Sequence, residues 1–314
     1  MLISLVGYTG FVGSNICMQA GSYIEGLYNS KNIESAYKTN PDILIYAGLR
    51  AEKFLANTYP DKDKLMIEEA KQNIEKINPK KLIFISTIDV FKEPKNVSEE
   101  SNINLQGLQP YGYNRYQLEL WVRENYPDAL IIRLPALFGI NLKKNFLYDF
   151  INIIPQMLKK EKMDELVGYN NKLVNYYVLQ DSSFYQLKNL NEKERAELKK
   201  IFLKIGFSAL NFTDSRSVYQ FYNLSRLWND IQTALKNDLK LWHPATEPVS
   251  AAEVYKYLTG EDFVNEIMAM PAYYDYKTVH SKIFGGRNGY INSKTEILSQ
   301  IKDFITQQTT VNNR

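Results

Sequence analysis

The sequence predicts an α/β fold, a doubly wound parallel sheet with a smaller, mostly helical C-terminal lobe. Three observations predict it. An apolar run, Leu2-Ile3-Ser4-Leu5-Val6, leads into glycines spaced G-x-x-G-x-x-G at Gly7, Gly10 and Gly13, and an apolar helical pattern follows over 11–20. Further apolar runs at 42–48, 81–91 and 129–135 alternate with stretches of helix length, which is how parallel β-α-β units read. Beyond about residue 140 helical segments dominate. Residues 1–140 are therefore expected to form the sheet domain and 141–314 the second lobe, with interleaving of the chain allowed.

The opening stretch has the form of a strand, a glycine-spaced turn and a helix. That form holds the pyrophosphate of a dinucleotide: Gly7 allows the tight turn, Gly10 the approach of backbone to phosphate, and Gly13 the close packing of helix on strand. The helix N-terminus adds free N–H groups. Residues 23–28 read as a second strand ending in Asn29-Ser30-Lys31-Asn32. An acid at this position would bind the ribose hydroxyls of NAD and repel a 2′-phosphate. None is present, and Ser30 and Lys31 suit a phosphate, so NADP(H) is favoured over NAD(H).

A short helical stretch over 33–39 leads to the strand at 42–48. The link is short enough that the sheet is expected to lack one strand of the full doubly wound arrangement. Ala47-Gly48-Leu49-Arg50 leaves this strand with small residues where a dinucleotide would lie. Residues 61–77 form a helix with Leu65, Ile67, Ala70, Ile74 and Ile77 on one face, stopped by Asn78-Pro79. A strand over 81–91 carries Ser86-Thr87-Ile88-Asp89-Val90-Phe91. After a polar loop, Pro110-Tyr111-Gly112-Tyr113-Asn114-Arg115 opens a helix to about residue 125, and 129–135 returns as a strand. In the second lobe we expect helices over 145–160, 191–205, 224–236, 250–258 and 293–306, with extended pieces at 173–179 and 239–242. Ser250 reads as an N-cap.

Composition narrows the function. Of 314 residues, 38 are basic and 35 acidic, giving a net charge of +3 without a basic block, so nucleic acid is not the expected partner. The single cysteine, Cys17, lies in the first helix and reads as a small core residue. The two histidines and one cysteine make a metal site improbable, and none is expected. No apolar run reaches the roughly eighteen to twenty residues of a membrane span. With the glycine motif beginning at residue 7, no secretory leader and a cytoplasmic location are expected. Some of the 23 tyrosines are expected to line a polar cleft.

Gly7–Gly13, Ser86-Thr87-x-x-Val90-Phe91, Tyr111-x-x-x-Arg115 and Arg133-Leu134-Pro135-Ala136-Leu137-Phe138-Gly139 resemble, in this order, the extended short-chain dehydrogenase/reductase family, whose members have a Rossmann domain. They include nucleotide-sugar epimerases, dehydratases and 4-keto-sugar reductases, and Ser-Thr-x-x-Val-Phe looks most like the dTDP-4-keto-rhamnose reductase branch. The likeness is good over 1–140 and fades beyond. It implies reduction or epimerisation of a nucleotide-activated sugar, with Tyr111 as acid/base and Thr87 bonding the same substrate oxygen. It implies a cofactor site built from Gly7, Thr9, Gly10, Phe11, Val12, Gly13, Asn29, Ser30, Lys31, Ala47, Gly48, Leu49, Ser86, Arg115 and Leu134. Arg50, Arg216 and Tyr219 are the substrate-binding candidates, Arg226 and Arg287 further phosphate partners. A homodimer through the helix that starts at Tyr111 is also implied.

One position departs from the family: Arg115 stands where the Tyr-x-x-x-Lys pattern has lysine. A cation there lowers the pKa of the tyrosine and donates to ribose hydroxyls, but guanidinium is planar and bulkier than ammonium. The site works with arginine, works with altered chemistry, or binds nucleotide without turnover. Arg115 could also pair with Glu119 four residues on. Tyr273–Lys277 and Tyr290–Lys294 match Tyr-x-x-x-Lys by spacing, but lack the strand–loop–helix context.

Overall fold

The computed structural model describes residues 1–180 and 184–312, with side chains up to residue 308. Two compact units emerge. The first comprises Met1–Leu142, Val218–Val249 and Ala272–Lys302; the second comprises Lys143–Ser217, Ser250–Pro271 and the C-terminal residues from Asp303.

The first unit begins with β1 (Ile3–Val6), α1 (Phe11–Ala20), β2 (Gly26–Tyr28), β3 (Ile43–Tyr46), α2 (Lys53–Thr58), α3 (Pro60–Ile77), β4 (Lys81–Thr87), α4 (Pro110–Asn125), β5 (Leu130–Leu134) and β6 (Ala136–Phe138). β1, β3 and β5 are buried at every residue, because a parallel strand is covered on both faces and must be apolar throughout. One core layer gathers Ile3, Leu5, Ile16, Ile45, Ile83 and Ile132; the other gathers Leu44, Ile67, Ile74, Leu82, Phe84 and Leu118. Cys17 is half-buried against the first of these.

The second unit holds α5 (Phe146–Ile151), β7 (Met157–Lys159), α6 (Lys160–Tyr169), β8 (Tyr177–Leu179), β9 (Phe184–Leu187) and α7 (Glu192–Ile205). The chain then supplies β10 (Val218–Tyr219), β11 (Phe221–Asn223), α8 (Leu227–Lys236) and β12 (Leu241–Trp242) to the first unit. α9 (Ala251–Thr259) belongs to the second, and α10 (Lys294–Asn312) ends the described chain. Ser250 caps α9, its hydroxyl accepting from the Glu253 amide at 3.1 Å.

The main sheet runs β12-β5-β4-β3-β1-β2, and every adjacent pair is parallel. Since β1 lies between β2 and β3, the chain leaves its C-terminal end toward opposite sides, and the crevice at this switch point is where open α/β sheets bind ligands. A single 3₁₀ turn, Ile33–Ala36, lies between β2 and β3, and β2 is the sheet edge, so the expected shortening of the sheet is what the strand order has.

Four expectations are corrected. Residues 218–249 and 272–302, assigned to the second lobe, belong to the first unit, because β12 pairs with β5 and buries Trp242 in the sheet core. The helix expected over 145–160 stops at Ile151 and 157–159 becomes a strand; Pro155 offers no amide and pushes its predecessor out of the helical region. Leu65 is 70% exposed, since the buried stripe of α3 runs through Ile67, Ala70, Ile74 and Ile77, and residue 65 lies about half a turn away from 67. The strand expected to run to residue 91 ends at Thr87, whose Oγ1 accepts from the Asp89 amide at 3.2 Å and starts a 3₁₀ turn over Ile88–Val90.

In the second unit, burial pushes the Asp149 carboxyl in α5 up to about 7. Its folded value lies above its unfolded value near 4, so the folded state holds the extra proton between those limits. The stability this confers is full below about pH 4 and lost as pH rises to about 7. Asp149→Asn should stabilise the protein at pH 8 by on the order of 2 kcal/mol and leave it unchanged near pH 4, as read from urea unfolding at the two pH values.

Candidate active site

The glycine turn is dictated by steric limits. Gly7 has φ +91°, and a Cβ there would lie 2.4 Å from the Ala47 carbonyl oxygen; a Cβ on Gly13 would lie 2.1 Å from that of Gly7. No side chain fits at either position. The Gly10 amide donates to Gly7 O at 2.9 Å, and Gly10 is the N-cap of α1 without a side chain to occupy the free amides. A cradle that only glycine can form, opening on bare helix N–H groups, fits a pyrophosphate. At the end of β2, Asn29 and Asn32 form a local turn: Asn29 Oδ1 accepts from the Lys31 amide and Asn32 Oδ1 from the Asn29 amide. Ser30 and Lys31 are exposed on it.

The second cluster sits at the C-terminal end of β4, the same sheet edge. Thr87 closes the strand and Tyr111 begins the second position of α4. Gly112 lets them meet, because a Cβ there would fall 2.0 Å from the Asp89 carbonyl oxygen. Asn57 Oδ1 accepts from the Tyr111 amide at 2.9 Å and satisfies one orphan donor of the helix start. Tyr111 is buried. Burial pushes its phenol above the usual tyrosine range; Arg115 opposes this, Asp89 and Asp63 reinforce it, and the neighbouring Thr87 hydroxyl opposes it again. Arg115 lowers the phenol, the direction expected of a neighbouring cation, but desolvation is larger and sets the net direction.

Arg115 explains the difference. Its guanidinium stacks over the Tyr111 ring, 4.7 Å from the centroid. Nη1 donates to both oxygens of buried Asp63 at 2.9 Å, and Nη2 donates to the Arg50 carbonyl at 2.9 Å. Asp63 also accepts from Asn114 Nδ2. Arg115 does not pair with Glu119. That carboxylate is bound to Arg133 and accepts from the Ser86 hydroxyl at 2.5 Å. Ser86 therefore spends its side chain inside the protein. Arg133 continues to His243 at 3.2 Å, and burial, with the Arg133 charge, holds that imidazole well below its usual range.

A cleft of about 220 Å³ opens beside these groups, lined by Thr87, Asp89, Leu134, Lys53, Tyr219 and Tyr274 among others. Asp89 Oδ1 accepts from Lys53 Nζ and from the Tyr274 hydroxyl, each at 2.9 Å. Leu134 and Tyr219 thus share a wall with Thr87. Arg216 lies in the second unit, where Asp214, Glu266 and the Met268 carbonyl hold its guanidinium. Arg226 is likewise held by Asp230 and Asn292. Arg287 lines a separate cavity with Glu247 and Glu296. Sequence reasoning passed over Asp63, Asn57, Gly112, Lys53 and Tyr274. Only Gly112 carried a local signal: a glycine inside a helix costs about 1 kcal/mol and marks a close approach. Lys277 and Tyr290, from the two discounted Tyr-x-x-x-Lys matches, bond to each other instead of within their own motifs.

No protein-family model matches the sequence, and no curated protein sequence matches it. Solved structures do match. A dTDP-4-dehydrorhamnose reductase of Clostridium acetobutylicum is 13% identical, with 98% of this chain and all of that chain covered, at a TM-score of 0.60. The same enzyme of Bacillus anthracis, in complex with NADP, is 14% identical over 98% and 99%, at 0.61. A UDP-N-acetylglucosamine 4-epimerase of Methanobrevibacter ruminantium, in complex with UDP-N-acetylmuramic acid, is 12% identical over 98% of each chain, at 0.62. The resemblance read from the first 140 residues therefore holds for the fold over nearly the whole chain: this protein has the Rossmann-like fold of dTDP-4-dehydrorhamnose reductases and UDP-sugar 4-epimerases.

Proposed function

We propose that this protein is an NADP-dependent oxidoreductase that reduces or epimerises a nucleotide-activated sugar, with Tyr111 as the acid/base and Thr87 as its partner. The observation that carries the reading is that Thr87 and the buried Tyr111 come together, through the close approach at Gly112, at the same sheet edge as the glycine cradle. Gly7, Gly10 and Gly13 would hold the pyrophosphate, and Ser30 and Lys31 the 2′-phosphate. Ala47, Gly48 and Leu49 would flank the dinucleotide. NADPH, when bound, supplies the hydride that turns a sugar carbonyl into an alkoxide. Tyr111 donates the proton that neutralises that oxygen, and the Thr87 hydroxyl donates a hydrogen bond to it. A phenol held above its ordinary range stays protonated at neutral pH, which suits an acid and hence the reductive direction.

Tyr113 and Leu120 on α4 and Leu65 on α3 are exposed apolar side chains, and they support a homodimer through these helices. The engagement of Arg115 with Asp63 favours a second reading, a nucleotide-binding protein without redox turnover, since the guanidinium then has little left for a ribose. Mixing the purified protein with NADPH and a panel of UDP- and dTDP-4-keto sugars separates the two. Loss of absorbance at 340 nm with one of them is the expected result; binding of NADPH without any such loss supports the second reading.

A further inference from the structure

The cleft beside Thr87 contains an ion pair that the proposed proton transfer does not use. Asp89 Oδ1 takes both available bonds, from Lys53 Nζ and the Tyr274 hydroxyl, while Oδ2 accepts none from any described residue. Lys53 spends donors on Asp89 and, at 3.4 Å, on the Tyr274 hydroxyl, which leaves one of its three. The Lys53 side chain is 48% exposed and that of Asp89 20%, so both meet the cleft without being loose. Gln220, on the same wall, is not available: its amide donates to the Thr246 and Tyr276 carbonyls and accepts from the Tyr276 amide. Opposite in character, the Tyr219 and Tyr274 rings stack at 24°, and Leu134, Pro135 and Ala136 are apolar.

A free acceptor beside a free donor, with aromatic and apolar surface around them, is complementary to a vicinal diol on a ring. One hydroxyl donates to the carboxylate, its neighbour accepts from the ammonium, and the C–H face packs on the rings. We propose that Asp89 and Lys53, positioned by Tyr274, are the specificity-determining pair of the site and select a hexosyl unit with two adjacent free hydroxyls. The inference rests on the nucleotide-sugar reading above and names what that reading leaves open. A sugar lacking one of the two hydroxyls would strand a half-buried charge, which is why such sites reject the deoxygenated analogue more strongly than an apolar pocket rejects an extra group.

The test is calorimetric binding to the full chain loaded with NADPH. UDP-glucose, UDP-galactose and dTDP-glucose are each compared with UDP or dTDP alone, which isolates the affinity gained from the hexose. Asp89→Asn should reduce that gain about 10- to 100-fold, the worth of a hydrogen bond to a charged group, with nucleotide and NADPH affinities unchanged. Lys53→Met, at a half-exposed position that does not threaten folding, should reduce it in the same direction. A gain that survives in either variant overturns this inference alone. A wild-type protein that binds every sugar nucleotide no better than its nucleotide overturns the nucleotide-sugar reading, and this inference with it.

Discussion

Asp63→Ala lowers the unfolding free energy of the protein by about 3–5 kcal/mol, the effect of removing one partner of a buried ion pair. Arg115 and Asp63 are each only 3% exposed in their side chains, and Asp63 is the acceptor for both Arg115 and Asn114. Alanine leaves the guanidinium buried with one acceptor, the Arg50 carbonyl. The same variant loosens the junction of α3 with α4 at the residue stacked on Tyr111, so it should also reduce turnover. Urea unfolding reads the first effect directly. The double variant Asp63→Leu/Arg115→Met serves as the control: an apolar pair of similar volume is expected to restore most of the stability. If Asp63→Ala unfolds within 1 kcal/mol of wild type, the ion pair is not what holds these helices.

Tyr111→Phe is expected to reduce kcat by about 10²–10⁴, the usual contribution of a positioned general acid, with KM for NADPH little changed. The wild-type phenol is held above the ordinary tyrosine range by burial. Its proton is therefore retained as pH rises, and the reductive rate should stay level from neutral pH past the ordinary tyrosine value of about 10 before falling. The sign follows from the direction of the shift: a raised value extends the pH range of the protonated donor upward. A pH–rate profile of NADPH oxidation checks it, and Tyr111→Phe should lose the alkaline decline together with the rate. Turnover within a few-fold of wild type in Tyr111→Phe would remove Tyr111 from the acid/base role and point to another donor in the cleft.

Local residues made the sheet and the cradle legible. Strands that are buried on both faces leave no choice but apolar runs, and β1, β3, β4 and β5 all read so. A Cβ clash of about 2 Å at Gly7 or Gly13 admits only glycine, which is why the glycine turn announces itself in seven residues. Later segments announced less. Residues 218–249 look like part of a helical lobe because α8 is amphipathic, yet β12 is two residues long and gains its place only by pairing with β5. So short a strand has no periodicity to read.

The site divides in the same way. The resemblance to a family pattern placed Thr87 and Tyr111 in one reading, and the close approach at Gly112 brings the start of α4 against the turn that follows Thr87. What Arg115 does was decided elsewhere, by Asp63, 52 residues away in sequence, which takes the guanidinium bidentately. Tyr274, 185 residues from Asp89, decides the other wall in the same manner. The sequence by itself determined the fold class and the glycine cradle, since each follows from steric or hydrophobic constraints between near neighbours, while the candidate acid came from the resemblance to a family pattern. Only the tertiary structure decided which charges are spent and which remain for a ligand, because an ion pair depends on distance in space and on burial, and neither is written in the spacing of the chain.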